Sequence, residues 1–172
     1  MTLLHLALLG LFPALVIAAA LTDAASFTIP NRLTLLIAAA YGPIALMLGR
    51  PLPEIGFCLL IGLGALVVAV IMFAAGWIGG GDAKLFAGSV LWLGWPATGV
   101  FLMVTALAGG ALAFLLLNLR ADWLKPHLAG APAWFARLAT TGAAVPYGVA
   151  IAVGALAAFP QAPLVQAVHG TF

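Results

Sequence analysis

The sequence predicts an all-α membrane protein, a polytopic bundle of about six transmembrane helices. Of its 172 residues, 66% are hydrophobic and 6% are charged, and the mean hydropathy is +1.26. The apolar residues also fall into runs of about 20, the length that a helix needs to cross a bilayer. These runs account for most of the chain, so residues 1–172 are expected to form a single membrane-embedded domain.

The charge and cysteine content exclude several classes of function. Six basic residues and a net charge of +2 are too few and too scattered for a nucleic-acid surface. Cys58 is the only cysteine and lies inside an apolar run, so the chain has no intrachain disulfide, cysteine zinc site or cysteine redox pair. The sequence therefore predicts the lipid bilayer as a partner, with no nucleic acid, metal or cofactor.

Three apolar runs precede a glycine-rich stretch. The first, Leu3 to Leu21, is about 28 Å long as a helix and has no Lys or Arg before it, so we expect a permanent span rather than a signal peptide. A polar turn from Thr22 to Asn31 leads to the second span, Leu33 to Leu48. A proline-containing loop, Gly49 to Glu54, leads to the third, Ile55 to Ala75.

The run after the glycines is unusually short. Leu85 to Trp95 has only about 16 Å of helical length, and Gly94-Trp95-Pro96 predicts a break before the full-length run Ala97 to Leu117. One kinked helix across this break is the alternative to two separate spans. With two spans, one membrane face collects most of the basic residues, namely Arg32, Lys84, Arg120, Lys125 and Arg137. The positive-inside bias favours this topology, with both termini outside the cytoplasm and Asp82 inside.

The remaining residues predict one more span and one interfacial segment. Between Arg120 and Val145, the cluster Trp134 to Leu138 is typical of an amphipathic helix at the membrane surface. The last span is expected from Val145 to Phe159, with a short tail from Leu164 to Val168 after a proline break.

Two of the chain's four carboxylates are candidates for chemistry. Glu54 and Asp122 have basic neighbours and are interpreted as ordinary interfacial charges. Asp23 ends the first span and Asp82 opens the fourth, which puts both at the same membrane face. An ionisable group near the bilayer core costs about 2.5 kcal/mol or more at a helix centre, so such a group indicates a functional site.

Each of these acids also has a purely structural explanation. Asp82 could be the N-cap of the fourth helix, and Asp23 could belong to an Asx turn. If the two carboxylates lie within a few Å, they share one proton, so that one is a base and the other an acid. Such a pair can activate a water for attack on a peptide carbonyl, as in aspartic proteases. The glycines beside Asp82 would let an extended substrate strand approach closely.

A non-enzymatic membrane transporter or assembly subunit is the alternative function. Asp23 and Asp82 would then bind a proton or a cation. A carrier of this kind is expected to have matching broken helices in both halves, and only one glycine-rich stretch is present. Lys84 has three open roles: it could stabilise the ionised Asp82, attract an acidic substrate group, or extend its ammonium group to the interface.

The motif Gly79-Gly80-Gly81-Asp82-Ala83-Lys84-Leu85 resembles the Gly-x-Gly-Asp motif of membrane-embedded aspartic proteases, and its Lys-Leu ending resembles the prepilin peptidase (type IV leader peptidase) family. Asp23 followed by Ile29-Pro30-Asn31 is similar to the first-aspartate region of that family. Leu91-Trp92-Leu93-Gly94 and Val145-Pro146-Tyr147-Gly148-Val149-Ala150 are similar to later stretches. The resemblance extends from Asp23 to about Gly154.

This resemblance implies that Asp23 and Asp82 are the catalytic pair. The substrate would be a pilin-like precursor whose short basic leader is removed at the cytoplasmic face of the bacterial inner membrane. Supporting or substrate-binding roles would fall to Gly79, Gly81, Lys84, Asn31 and Arg32. Because the chain begins directly with the first span and lacks paired cysteines, it resembles the short form of Flp (tight adherence) pili. Methyltransferase activity is not expected, and pilus-assembly machinery is a candidate partner.

Overall fold

The computed structural model describes residues 3–121, 138, 140 and 144–169, and among these it contains helices and no strand. The helices are α1 (Leu3–Ser26), α2 (Asn31–Met47), α3 (Leu52–Ala74), α4 (Gly80–Leu119), α5 (Tyr147–Ala158) and α6 (Pro163–His169), with a 3₁₀ turn at Phe159–Gln161. The all-α prediction is confirmed. The predicted interfacial helix, which includes Trp134 and Phe135, lies outside the described residues.

Several of these helices can cross a membrane. Within the described residues, α1, α3, α4 and the segment Tyr147–Val168 are long and apolar enough, while α2 is a shorter apolar helix of 17 residues. Large apolar side chains are exposed along α3, such as Leu60 and Ile71. Such a surface is unfavourable in water and favourable in lipid. The chain is therefore a membrane protein, and six spans stays a prediction.

Helix α4 contains a break at the predicted position. Gly94 has φ 56° and ψ −162°, and Trp95 has φ −106° and ψ 136°, so neither residue is helical. The rings of Phe86 and Phe101 lie 5.3 Å apart, although a straight helix would separate them by about 22 Å. The chain therefore turns back on itself, and α4 has a first arm (residues 80–93) and a second arm (residues 96–119) that run side by side. This matches two separate helices rather than one kinked helix.

The helix boundaries differ from prediction at both acids. Helix α1 continues to Ser26, because the hydroxyl of Thr22 donates to the Ala19 carbonyl at 2.8 Å and that of Ser26 donates to the Thr22 carbonyl at 2.7 Å. These side chains are therefore satisfied inside the helix and do not end it. Helix α4 begins at Gly80 rather than at Leu85. Asp23 and Asp82 thus lie in the last turn of α1 and the first turn of α4.

Trp92 holds the first arm of α4 at the centre of the bundle. Its fully buried ring stacks on Phe12 of α1 at 5.1 Å and meets Tyr41 of α2 edge-on at 5.8 Å. Its indole N–H donates to the Ile37 carbonyl at 2.7 Å. This contact connects α1, α2 and α4, so the helix that carries Asp82 is fixed against the helix that carries Asp23.

The described basic residues separate into two groups at opposite ends of the bundle. Arg120 donates to the Ala144 carbonyl at 3.1 Å, which brings the end of α4 to the start of α5. Lys84 lies beside the start of α2, next to Arg32. Arg50 forms an ion pair with Glu54 at the other end, as expected for Glu54 as an ordinary interfacial charge. This division agrees with the predicted grouping.

Candidate active site

Asp23 and Asp82 line the same cavity, which has a volume of about 260 Å³. Its walls come from the end of α1, from the connection between α1 and α2, and from the first turn of α4. Apart from the acids, the cavity is lined by Phe27, Thr28, Ile29, Gly79, Gly80 and Gly81. We call it the aspartate cavity. Residues that are far apart in the sequence therefore meet at one end of the bundle, as predicted.

Asp23 is held by a helix from the far end of the chain. Its side chain is only 4% exposed, and its Oδ2 accepts a hydrogen bond from the backbone N–H of Gly148 at 2.7 Å. Gly148 is the second residue of α5, so the carboxylate faces the N-terminus of that helix. Free N–H groups and the helix dipole stabilise a negative charge there. The alternative of an Asx turn is wrong, because Asp23 lies within α1.

Gly148 is a site residue that sequence analysis did not identify. A Cβ atom at this position would lie 2.8 Å from Asp23 Oδ2, 3.0 Å from Asp23 Cβ and 2.9 Å from Ile29 Cδ1. No side chain therefore fits unless Asp23 moves. The one local signal is Pro146, which precedes the helix and marks an N-terminus that can bind an anion. Nothing in the spacing connects that N-terminus with Asp23.

Asp82 is held by its own helix. Gly79 is the N-cap of α4 and Asp82 is its third helical residue, so the alternative of Asp82 as the N-cap is wrong. The backbone N–H of Gly79 donates to the Asp82 carboxylate, as an acidic residue at this position does in a capping box. The other oxygen, Oδ1, is buried and has no hydrogen-bond partner among the described residues.

The two carboxylates are close enough to interact electrostatically. Like charges in a site of low polarity disfavour the state in which both acids are ionised. The described residues contain no group of three or more His, Cys, Asp or Glu side chains that could hold a metal. The chemistry that the side chains of this cavity can provide is proton transfer to and from a water or a substrate.

The glycines before Asp82 allow the close packing of α4 at this site. A Cβ at Gly79 would lie 2.8 Å from Asp82 Oδ2, and one at Gly81 would lie 3.1 Å from Ile29 Cβ. The first turn of α4 therefore sits directly on the connection after α1. In the same connection, Phe27 has a positive φ of 55°, which is uncommon for a residue with a bulky side chain. Gly79 and Gly81 thus lie at the acids, as expected.

The other predicted supporting residues lie elsewhere. Lys84 Nζ donates to Asn31 Oδ1 at 2.8 Å, which joins the start of α2 to the first arm of α4. Both residues line a second, larger cavity and not the aspartate cavity. Arg32 is exposed at the start of α2 and lines neither of these two cavities. The structure therefore brings Asn31 and Lys84 to each other, and leaves Arg32 apart.

A comparison with known protein families gives one match. The sequence model of the Type IV leader peptidase family matches residues 10–114, which is more than half of the chain. The matched region contains both acids and all the glycines of the aspartate cavity, and it ends before Gly148. No curated protein and no solved structure matches the chain.

Proposed function

Because the chain belongs to the type IV leader peptidase family and is therefore a membrane peptidase, we propose that it is an aspartic endopeptidase with Asp23 and Asp82 as its catalytic pair. Its substrate is a pilin-like precursor, from which it removes a short basic leader. The observation that carries this proposal is the shared cavity of about 260 Å³, which both acids line in a chain with only 6% charged residues. The reaction requires no metal and no cofactor.

In the proposed reaction, one carboxylate is ionised and the other carries the shared proton. The ionised acid takes a proton from a water, whose oxygen attacks the carbonyl carbon of the scissile peptide. The protonated acid donates its proton to the developing oxyanion. The acid that took the water's proton then gives it to the leaving nitrogen as the C–N bond breaks. A hydroxyl of the tetrahedral intermediate passes its proton to the other acid as the carbonyl re-forms, so the pair is again singly protonated. Asp82 Oδ1, with no partner among the described residues, is the oxygen available to the water or the substrate carbonyl.

The proposed location is the cytoplasmic face of the bacterial inner membrane. The end of the bundle that carries the acids also carries Arg32, Lys84 and Arg120, and positive residues favour the cytoplasmic side. A pilin precursor of the Flp type is itself a membrane helix with a charged leader. Its helix would approach from the lipid, and its leader would reach the acids from the cytoplasm.

Replacement of either acid by its amide tests the catalytic pair. We expect purified Asp23→Asn and Asp82→Asn to lose at least about 10³-fold of the cleavage rate on a synthetic precursor in detergent, without added metal, because an amide cannot take up the proton. Glu54→Gln, at the opposite end of the bundle, is the matched control and should cleave normally.

Normal cleavage by either amide variant would contradict the assignment, provided that the variant is present in the membrane at the wild-type level. A transporter or an assembly subunit would not cleave the precursor even as the wild type, so the same assay separates that alternative.

Cysteine labelling tests which face carries the acids. In a Cys58→Ala background, Trp77→Cys lies beside the glycines and Leu52→Cys lies at the other end of α3, and these native side chains are 75% and 72% exposed. We expect a membrane-impermeant maleimide to label Leu52→Cys in spheroplasts, and to label Trp77→Cys only after the membrane is opened. The reverse pattern would place the acids outside the cytoplasm.

A further inference from the structure

A second cavity lies between α2 and α3 and has a volume of about 450 Å³. Its lining is apolar over most of its length, with Leu35 from α2, Leu59 and Leu63 from α3, and Ala87 and Leu91 from the first arm of α4 as its floor. We call it the α2–α3 groove. From the position of Lys84 to that of Leu91 the floor is about 10 Å long, or about two turns of helix.

The packing of the helices keeps this groove open. Helices α2 and α3 both contact α4 much more than they contact each other. A Cβ at Gly88 would lie 3.0 Å from Ile37 Cγ2, and one at Gly62 would lie 2.9 Å from Leu91 Cβ. Each helix is therefore pressed onto α4, and the space between them is formed before any ligand binds.

The polar residues of the groove lie together at the end near the acids, and Lys84 is the charged residue among them. Its ammonium group has three donors, of which one is used by Asn31 Oδ1 at 2.8 Å. No carboxylate pairs with Lys84 in the part of the chain that the structure describes. An apolar groove with a cation at one end is complementary to an apolar helix that carries an anion at the corresponding end.

Resting on the proposed function, we propose that the α2–α3 groove binds the transmembrane helix of the precursor and that Lys84 pairs with a carboxylate of that helix. A carboxylate in a membrane helix is unfavourable unless it is paired. The ion pair would therefore strengthen the binding of the precursor helix and fix its position along the groove. Lys84 follows Asp82 by two residues in the same helix. A precursor helix whose carboxylate reaches Lys84 therefore has its leader junction near the start of α4, where the chain passes over the glycines to reach the aspartate cavity on the other side of the first arm.

A charge exchange between enzyme and substrate tests the pair. The probe is a synthetic precursor with a short basic leader, an apolar helix of about 20 residues and one Glu, which is moved along the first two turns after the cleavage site. At the best position, we expect Lys84→Glu to raise KM at least about tenfold, because a charged hydrogen bond is lost and a repulsion is added. Replacing that Glu of the probe by Lys should restore KM for Lys84→Glu and raise it for the wild type.

If KM depends neither on the sign of the charge at position 84 nor on that of the charged residue in the probe, the proposed ion pair with Lys84 does not form. A role of Lys84 toward lipid phosphates would change KM equally for the Glu and Lys probes. If the wild type cleaves no probe at all, the proposed function itself has failed. The two failures are therefore distinguishable in one assay.

A blocked groove tests the docking surface independently of charge. Leu63→Trp places a larger side chain in the groove, while Leu60→Trp alters a neighbouring exposed residue of α3 that does not line it. We expect Leu63→Trp to raise KM about tenfold with little change in kcat, and Leu60→Trp to behave as the wild type. An unchanged KM for Leu63→Trp would mean that lipid fills the groove. A change in oligomeric state with that variant would mean that a second copy of the chain occupies it. Either result would overturn the proposal.

Discussion

The two acids of the aspartate cavity are held in different ways. Asp23 is almost fully buried, and its carboxylate is bound by the N-terminus of α5, which is far away in the sequence. Asp82 is partly exposed, bound by Gly79 of its own helix, and keeps one oxygen without a partner among the described residues. The position of Asp23 thus depends on tertiary structure, while the position of Asp82 depends mainly on a local turn.

Both acids accept a hydrogen bond from a glycine N–H near the start of a helix. The two glycine positions differ in how much room they leave for a side chain. A Cβ at Gly148 would collide with the Cβ of Asp23 and with Ile29, as well as with the carboxylate. A Cβ at Gly79 would be that close only to the far end of the Asp82 side chain. A side-chain end can rotate away, whereas a Cβ moves only with its backbone. The comparison therefore predicts that the site tolerates a side chain at Gly79, beside Asp82, better than one at Gly148, beside Asp23.

Among the glycine substitutions, the largest effect is expected for Gly148→Ala. The added methyl group must displace Asp23, and a shift of about 1 Å in a reacting group can reduce the rate by about 10²-fold. We therefore expect kcat to fall about 10²-fold in the detergent assay with the synthetic precursor, with little change in KM. Gly110→Ala, at an exposed position of α4 where a Cβ meets no atom within 4 Å, is the matched control.

Thermal unfolding in detergent separates this effect from a loss of folding. Alanine is favoured over glycine in a helix by about 1 kcal/mol, so Gly148→Ala is not expected to unfold α5 through propensity. A well-folded Gly148→Ala protein with wild-type kcat would show that the position of Asp23 is not critical, and the comparison between the two acids would fail.

Much of this arrangement could be predicted from local features of the sequence. The apolar runs predicted the helices, Gly94-Trp95-Pro96 predicted the reversal in α4, and the distribution of charge predicted that Asp23 and Asp82 share one end. These features could be predicted because each depends on residues that are neighbours in the chain or on simple charge alternation.

Other features depend on contacts that local patterns do not contain. The hydrogen bond from Gly148 to Asp23 joins residues 125 positions apart, and no periodicity reports it. Closeness in the sequence predicts a role for Lys84 beside Asp82, but residues two positions apart on a helix point in directions about 200° apart. The first arm of α4 therefore separates the aspartate cavity from the α2–α3 groove. The sequence does not predict the early start of α4 because the helix begins with two glycines, Gly80 and Gly81, whose weak helix propensity is offset there by the bond between Gly79 and Asp82.

A smaller effect is expected for Gly79→Ala, and this variant makes the comparison sharper. Gly79 has φ −73° and ψ 150°, which alanine adopts without strain, and the close contact of its Cβ involves only Asp82 Oδ2. The carboxylate can rotate away at the expense of part of its bond to the Gly79 N–H. Losing such a bond amounts to about 1.4 kcal/mol, so we expect kcat to fall about tenfold.

The matched control for Gly79→Ala is Gly56→Ala, at an exposed position near the start of α3 where a Cβ also meets no atom within 4 Å. Both variants are measured with the same synthetic precursor as Gly148→Ala. If Gly79→Ala loses as much kcat as Gly148→Ala, the local turn at Asp82 is as demanding as the tertiary contact at Asp23, because a carboxylate that could rotate freely would not produce so large a loss. The predicted difference between the two acids would then be wrong.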